Sequence, residues 1–520
     1  RVRDIVENQK IVAWSIVDLA ARNRETLLAN MYLKTSRQSE RGLTQPVKAY
    51  AIAADQHDRQ TVKKLANMLM DSGVEVHQTK GQLIVEGRVY GPGSFIVSMA
   101  QPKQGLVRWM LGRTFYPDNT YTRDLEGNPI RPYDMSTDTF GEFMGVRSDP
   151  IGEKITADLI KLTAKLPMTG TVAASAPHGY VLDGRLNDSF RAAFILLDKG
   201  IAVRRASQPS SDGSVKTGDF LVASGDVAAT AQQTGVDFVA LKSPLTTGAY
   251  PLRKPRIAML QRYGGGNMDE GWTRLMFEQF NITSKPIMDA EIKAGNLESK
   301  YDTIVLPADS IAAMTGERPP QAQGQGGGGG FGGGPDNTPP EFRSGFGAEG
   351  VKALQAFVQK GGTLLTFANA GDLPIQRFGL PVRNVVNGLP SKTFWSPGST
   401  LRVTFNNSNP LAYGMPNEGL ALFMAGGQVY EIVGQDRSQD VEILTTYVER
   451  DILQSGWLLG EQVIAKKAAA VSVKHGAGKV VLIGYRPQHR DQTHGTFKMV
   501  FNALLNGPDA PVATTNTAQR

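Results

Sequence analysis

Three observations predict an α/β protein of several domains. The chain has 520 residues, too many for one ordinary core. Short apolar runs alternate with segments whose apolar residues recur at helical spacing, the order expected of α/β units. One such plan is also written twice, about 130 residues apart.

The opening segment is amphipathic: Ile5, Val12, Ile16 and Leu19 fall on one helical face, with Trp14 and Val17 off that stripe. A helix apolar on more than one side needs more than one packing partner. Residue 1 is Arg and already lies inside the pattern, so the expectation is that something upstream is missing, any signal peptide with it. Gly42 to Pro46 reads as a linker. Val47 to Ala53 then predicts a strand, Thr61 to Ser72 a helix with Val62, Leu65 and Leu69 on one face, and Val74 with Val76 a second strand. Gly93 to Val97 makes a third after the turn at Gly91-Pro92. The order returns as strand Tyr180-Val181-Leu182, helix Asp188 to Lys199 stopped by Gly200, strand Ile201-Ala202-Val203 and strand Gly218 to Val222. Two copies of one small module account for this. They are too few for a solenoid.

From Arg256 a third unit begins, with strands Ile257 to Leu260 and Thr303 to Leu306 around a helix from Asp269 to Gln279. Between Gly324 and Gly334 nine of eleven residues are Gly. Such a stretch cannot bury apolar surface, so a disordered loop is expected over 318–345. Val351, Leu354, Phe357 and Val358 mark the next helix, closed by Gly361-Gly362. A buried strand Thr363 to Phe367, a strand Val480 to Gly484 and a helix Thr496 to Leu505 follow. The expected boundaries are 1–44 for the opening helix and linker, 45–150 and 151–252 for the modules, 253–509 for the last domain and 510–520 for a tail.

Composition narrows the function. Apolar residues make up 41% and charged residues 20%, the balance of a soluble globular chain, with no run near the roughly 18 apolar residues that span a bilayer. The net charge of +7 is spread without a Lys/Arg block, which argues against nucleic acid as a partner. The absence of Cys removes thiol nucleophiles, thiolate zinc sites and disulfides together. A periplasmic or secreted bacterial protein is the expected setting, a cytosolic one the alternative.

Of the six histidines, His57, His77, His178, His475, His489 and His494, none has a Glu three residues later or a second His at i+4. His489 and His494 with Asp491 between them come nearest to a metal cluster, but the run reads as loop, where hydrogen-bonded histidines are the plainer account. Gly264-Gly265-Gly266-Asn267 leads from a strand into a helix as phosphate-binding loops do, yet Asp269 and Glu270 would repel a phosphate, which leaves a capped helix start. Gly476-Ala477-Gly478-Lys479 imitates a P-loop, but Val480 stands in the magnesium-ligand position and a strand follows, as in a hairpin turn.

Phe367-Ala368-Asn369-Ala370-Gly371 ends a buried strand where α/β hydrolases and class I glutamine amidotransferases carry a nucleophile on a sharp turn. The residue expected at that centre is Asn369, which cannot attack. Gly484-Tyr485-Arg486-Pro487-Gln488 resembles the amidotransferase segment with a catalytic His before Pro, and Arg486 stands in the His position. The resemblance implies an amidotransferase-like, flavodoxin-like domain without catalytic residues. Its candidate pocket comprises Asn369, Arg486, Gln488 and His494.

A second resemblance spans nearly the whole chain. Tyr50-Ala51-Ile52 with Asp55-Gln56, Pro132 to Thr137, Met268 to Arg274, Gly414-Met415-Pro416, Ser455 to Glu461 and His494 to Lys498 are similar to the long C-terminal region of large bacterial zinc carboxypeptidase-like proteins, relatives of carboxypeptidase A. In that family the peptidase domain comes first and holds zinc through an H-x-x-E motif and a later His. The opening helix here resembles that domain's closing helix. The resemblance therefore implies a parent that hydrolyses peptides with zinc activating water, while this chain holds no catalytic residue, no metal ligand and no cofactor. Its expected partner is its own peptidase domain. A peptide- or glycan-binding module and a hydrolase site in the last domain are the alternatives, though no Ser-His-acid pattern is visible.

Overall fold

The computed structural model describes residues 1–223, 225–244, 247–263, 266–317, 339 and 342–506. The Gly-rich run 324–334 and the tail 510–520 lie outside the described residues. The chain divides into two compact units, one of residues 1–55, 66–112 and 147–166, the other of 56–65, 113–146 and 167–520.

The first unit opens with α1 (Val2–Arg22) and α2 (Arg24–Thr44), separated by Asn23 alone. No residue of α1 is buried, and Ile5, Val12, Trp14, Ile16, Val17 and Leu19 are each more than half exposed. The expected linker at Gly42 is instead helix. Gly42 is buried, and a Cβ there would collide with the Met99 carbonyl. Glycine here serves close backbone approach, not flexibility.

Next come β1 (Ala49–Ile52), α3 (Arg59–Asp71, shared between the units), β2 (His77–Thr79), a hairpin of β3 (Leu83–Val85) and β4 (Arg88–Tyr90), β5 (Phe95–Ser98), α4 (Gln104–Leu111), β6 (Asp149–Ile151) and β7 (Leu159–Lys161). Five strands form a sheet in the order β6-β1-β5-β2-β7, every pair antiparallel. The second strand starts at His77, after the expected Val74–Val76, because the Glu75 N–H is taken by Gln101 Oε1 at 2.8 Å. The sheet also extends past residue 150 through β6 and β7. Ala49, Ala51, Leu83, Val85, Tyr90, Ile96 and Ile151 pack together as its core.

In the second unit α5 (Phe140–Phe143) precedes β8 (Tyr180–Leu182), α6 (Asn187–Asp198), β9 (Val203–Ala206), β10 (Phe220–Val222), α7 (Ala228–Thr234), β11 (Val239–Ala240) and β12 (Ala249–Pro251). Their sheet runs β11-β8-β10-β9-β12, again antiparallel throughout. Strand for strand, this is the order of the first sheet. Gly73 and Gly200, after the equivalent helices, both have φ above +70°, as do Gly93 and Gly218 before the central strands. The module is duplicated.

The remainder is a doubly wound domain: β13 (Ile257–Leu260), α8 (Met268–Gln279), β14 (Ser284–Ile287), α9 (Asp289–Ala294), β15 (Thr303–Leu306), α10 (Ile311–Thr315), α11 (Gly347–Gln359), β16 (Thr363–Phe367) and α12 (Asp372–Arg377). An antiparallel extension follows, of β17 (Val382–Asn384), β18 (Ser399–Phe405), β19 (Glu418–Phe423), β20 (Tyr430–Ile432), β21 (Val441–Tyr447), β22 (Leu453–Ser455) and, after α13 (Glu461–Ile464), β23 (Ala468–His475). β24 (Gly478–Ile483) returns to the parallel core across the turn at Gly476-Ala477, and the fully buried α14 (Phe497–Leu505) closes the fold. The parallel strands stand in the order β14-β13-β15-β16-β24. Counted in chain order this is 2-1-3-4-5, the flavodoxin-like arrangement shared by amidotransferase-like domains. β13, β15 and β16 are buried along their whole length, as strands covered on both faces must be.

One close approach fixes the connection from β15 to β16. Gly316 after α10 and Gly345 before α11 stand back to back. A Cβ on Gly345 would lie 2.7 Å from Gly316 Cα, and the Phe346 N–H donates to Met314 O at 3.1 Å.

Candidate functional site

Doubly wound sheets bind ligands outside the carboxyl ends of their strands. At that edge β13 leads to Arg262, β15 to Asp309, β16 to Ala368 and Asn369, and β24 to Arg486 and Gln488. Arg262 Nε pairs with Asp309 Oδ2 at 2.6 Å, and Arg486 Nε with Asp269 Oδ1 at 3.2 Å. Burial pushes both carboxyls upward in pKa, opposed by the guanidinium beside each. Gln488 Nε2 donates to Thr273 Oγ1 at 3.1 Å and lies 3.4 Å from Asp269 Oδ1.

The N-terminus of α8 is occupied by its own cap. Asn267 Oδ1 accepts from the Asp269 and Glu270 N–H groups at 2.9 and 3.4 Å, while its Nδ2 donates to Ala308 O at 3.2 Å. With two acids in the first turn, this end has neither the free amides nor the field an anion needs.

The sharp turn after β16 is present, but one residue earlier than expected. Ala368, not Asn369, takes the left-handed conformation, at φ +46°. For a residue with a Cβ this costs about 1 kcal/mol, and such strain concentrates at functional turns. Asn369 is half-buried, its side chain against Gly426. An alanine methyl thus stands where this kind of turn presents a nucleophile.

His494 does not join the pocket residues at the sheet edge. It is stacked on Phe497 with centroids 4.6 Å apart, and burial, then nearby Lys64, lowers its imidazole to about 3. It belongs to a buried ionic cluster. Asn187 Nδ2 donates to His494 O at 2.8 Å, and Lys498 Nζ donates to Asn187 Oδ1 at 3.1 Å. Lys64 Nζ pairs with Asp188 Oδ2 at 2.7 Å. Asp58 accepts three backbone N–H groups, from Gln60, Thr61 and Asn187 at 2.9–3.1 Å. The four candidates therefore separate: Arg486 and Gln488 meet at Asp269, and Asn369 and His494 lie in other surroundings. Asp269, Asp309 and Arg262 were missed because no fixed spacing announces an ion pair across strand ends.

His489 is fully buried edge-on to Trp272, centroids 4.7 Å apart, with neither ring nitrogen hydrogen-bonded among the described residues. Among the described residues no three His, Asp or Glu side chains are placed to hold a metal ion. Nor is any helix long and apolar enough to cross a membrane.

A further polar network joins two segments far apart in sequence. Thr137 Oγ1 and Ser455 Oγ are 2.9 Å apart, and the Trp457 N–H donates to Ser136 Oγ at 3.1 Å. Glu142 accepts from Ser455 Oγ at 2.6 Å, Thr400 Oγ1 at 2.8 Å and Gln454 Nε2 at 2.8 Å. Hydroxyl and carboxylate are adjacent, but no imidazole takes part in these contacts. A proton cannot be relayed as in a Ser-His-acid triad.

No family model and no curated protein matches the chain. Among solved structures it is similar to a ThuA-like protein from Bacteroides uniformis, at 13% identity over 48% of this chain and 89% of that one, TM-score 0.27. A GMP synthase subunit from Thermoplasma acidophilum aligns at 10% identity over 48% and 94%, TM-score 0.28. A β-galactosidase from Bacillus circulans aligns at 11% over 47% of this chain and 30% of its own, TM-score 0.26. At such scores these likenesses carry no argument, and the fold assignment rests on the strand order.

Proposed function

We propose that this chain acts by binding and packing, as the non-catalytic C-terminal region of a zinc carboxypeptidase-like protein that packs against or modulates a peptidase domain. The observation that carries the reading is Ala368: a strained strand-end turn is kept, but its side chain is a methyl group. Arg486, in the position of the amidotransferase base, is engaged by Asp269. The uncovered apolar faces of α1 supply a surface for a neighbouring domain. The zinc of the parent would sit in the peptidase domain. A periplasmic or secreted location belongs to the same proposal.

Two measurements test it. The reading frame upstream of the Arg1 codon should encode an H-x-x-E motif, and a frame without one removes the peptidase parent. The purified chain should hold no stoichiometric zinc and cleave no C-terminal residue from peptides. One tightly held zinc per chain would sink the non-catalytic assignment.

A further inference from the structure

The stretch from Arg113 to Asp134 is tied down at both ends. The Tyr116 N–H donates to Gly456 O at 2.9 Å and the Gly456 N–H to Thr114 O at 2.6 Å. The Tyr116 ring stacks on Trp457, centroids 5.3 Å apart. At the other end Asp134 accepts from both Nη atoms of Arg490 at 2.9 and 2.8 Å. Between these anchors the backbone is fixed locally. Asn119 caps the turn Thr120–Thr122, Arg123 grips Asp118 through two bonds of 2.7 and 2.8 Å, and Asp124 takes the Asn128 N–H at 2.7 Å. The Ile130 N–H donates to Thr122 O at 2.8 Å.

On this fixed backbone the side chains that face water are the wrong kind for an idle loop. Phe115 is 65% exposed, Tyr121 91%, Leu125 109% and Tyr133 104%. The charges are mostly spent inside the chain: Asp118 on Arg123, Asp124 on Asn128, Asp134 on Arg490, and Arg113 on Glu142. Glu126 and Arg131, both exposed, carry opposite signs.

We propose that residues 113–134 form a binding platform for an uncharged polysaccharide. A pyranose chain offers apolar C–H faces that lie on aromatic rings, and hydroxyls that pair with phenol and amide groups. Tyr121 and Tyr133 present open rings with a phenol O–H each, on a backbone that loses little freedom on binding. A charged partner would find Asp118, Asp134 and Arg113 already engaged in ion pairs within the chain. The platform is independent of the peptidase reading.

Affinity electrophoresis of the intact chain in native gels tests this, with laminarin, amylopectin, xylan or hydroxyethylcellulose in the gel. At least one should retard the protein. Tyr121→Ala with Tyr133→Ala should weaken retention at least about fivefold without changing the melting temperature, and Tyr121→Trp should restore part of it. Heparin and a mixed-sequence peptide serve as comparison probes. Retardation by none of the four, by heparin or peptide alone, or undiminished retention in the natively melting double variant would overturn the proposal.

Discussion

In the first sheet the residue opposite Phe95 is Gln78, and in the second the residue opposite Phe220 is Arg205. The positions are equivalent and their reach is not. Gln78 Nε2 donates to Gly93 O at 2.9 Å, inside its own module. Arg205 is fully buried, its guanidinium 3.8 Å from the ring centroid of Phe220 and 4.5 Å from that of Phe190. It extends to Asn502 Oδ1 on α14 at 3.2 Å. Burial lowers its pKa only to about 10, so the cation persists at neutral pH. Around it α6 buries nine residues, and Phe190 and Phe194 pack on Phe501 of α14. A duplicated module keeps its strand order, and a change at one central position helps turn a self-contained sheet into part of a larger core.

The largest effect should come from the ionic cluster that binds the second module to α14. Lys498→Met removes a buried cation that faces Asp58, Asp183 and Asp188, while Asp188 keeps Lys64 and Asp183 keeps Arg185, and should cost about 3–5 kcal/mol in denaturant unfolding of the intact chain. A loss below about 1 kcal/mol would show that this cluster does not hold the two parts together.

Arg205→Met removes a buried charge together with its bonds, so part of the loss is returned. About 1–3 kcal/mol is expected, confined to the transition that reports on α14. If the first sheet, followed by amide exchange at Tyr50 and Val97, weakens equally, the contrast between the modules is false.

The next effect depends on pH. Burial raises the Asp491 carboxyl to about 7, and its buried Oδ1 has no hydrogen-bond partner among the described residues. An acid whose folded pKa is raised contributes stability that is present below its unfolded value, about 3.9, and lost as pH rises through 7. Asp491→Asn should therefore melt above the natural chain at pH 8 and level with it near pH 4. Equal melting temperatures at pH 8 would refute the assignment.

The smallest change belongs to the first module. Gln78→Ala removes one neutral bond to a local carbonyl and should cost about 0.5–1.5 kcal/mol. A loss as large as that of Arg205→Met would erase the distinction drawn above.

Much of this fold was legible. The duplicate appeared because its glycines and apolar runs recur in one order, and the parallel core because its strands are apolar throughout. Other elements were not legible, for physical reasons. α2 is rich in Arg, Ser, Gln and Glu and carries Gly42 in its last turn, so that turn reads as a linker until the Met99 carbonyl explains the missing side chain. The antiparallel extension was passed over although Leu401, Val403 and Phe405 alternate in β18, because its partners are brought together only by long-range pairing. At the candidate site Arg486 and Gln488 lie together at Asp269, while Asn369 and His494 lie elsewhere, because a shared sheet edge is set by the strand order and not by spacing along the chain. The pattern centres the turn on Asn369 and the positive φ falls on Ala368, because a sequence carries no sign of which residue will take a positive φ, unless it is glycine.

The back-to-back glycines at 316 and 345 have a consequence of another kind. The polypeptide passes the same point twice there, so the neck is closed by the described residues themselves. The parallel ladder that places Val305 opposite Leu365 is set by the sheet. A folded domain whose own ends lie close together could be grafted at this point and carried as cargo without disturbing that ladder. The neck is also where a chain of this kind could lengthen over evolutionary time while its sheet stayed as it is.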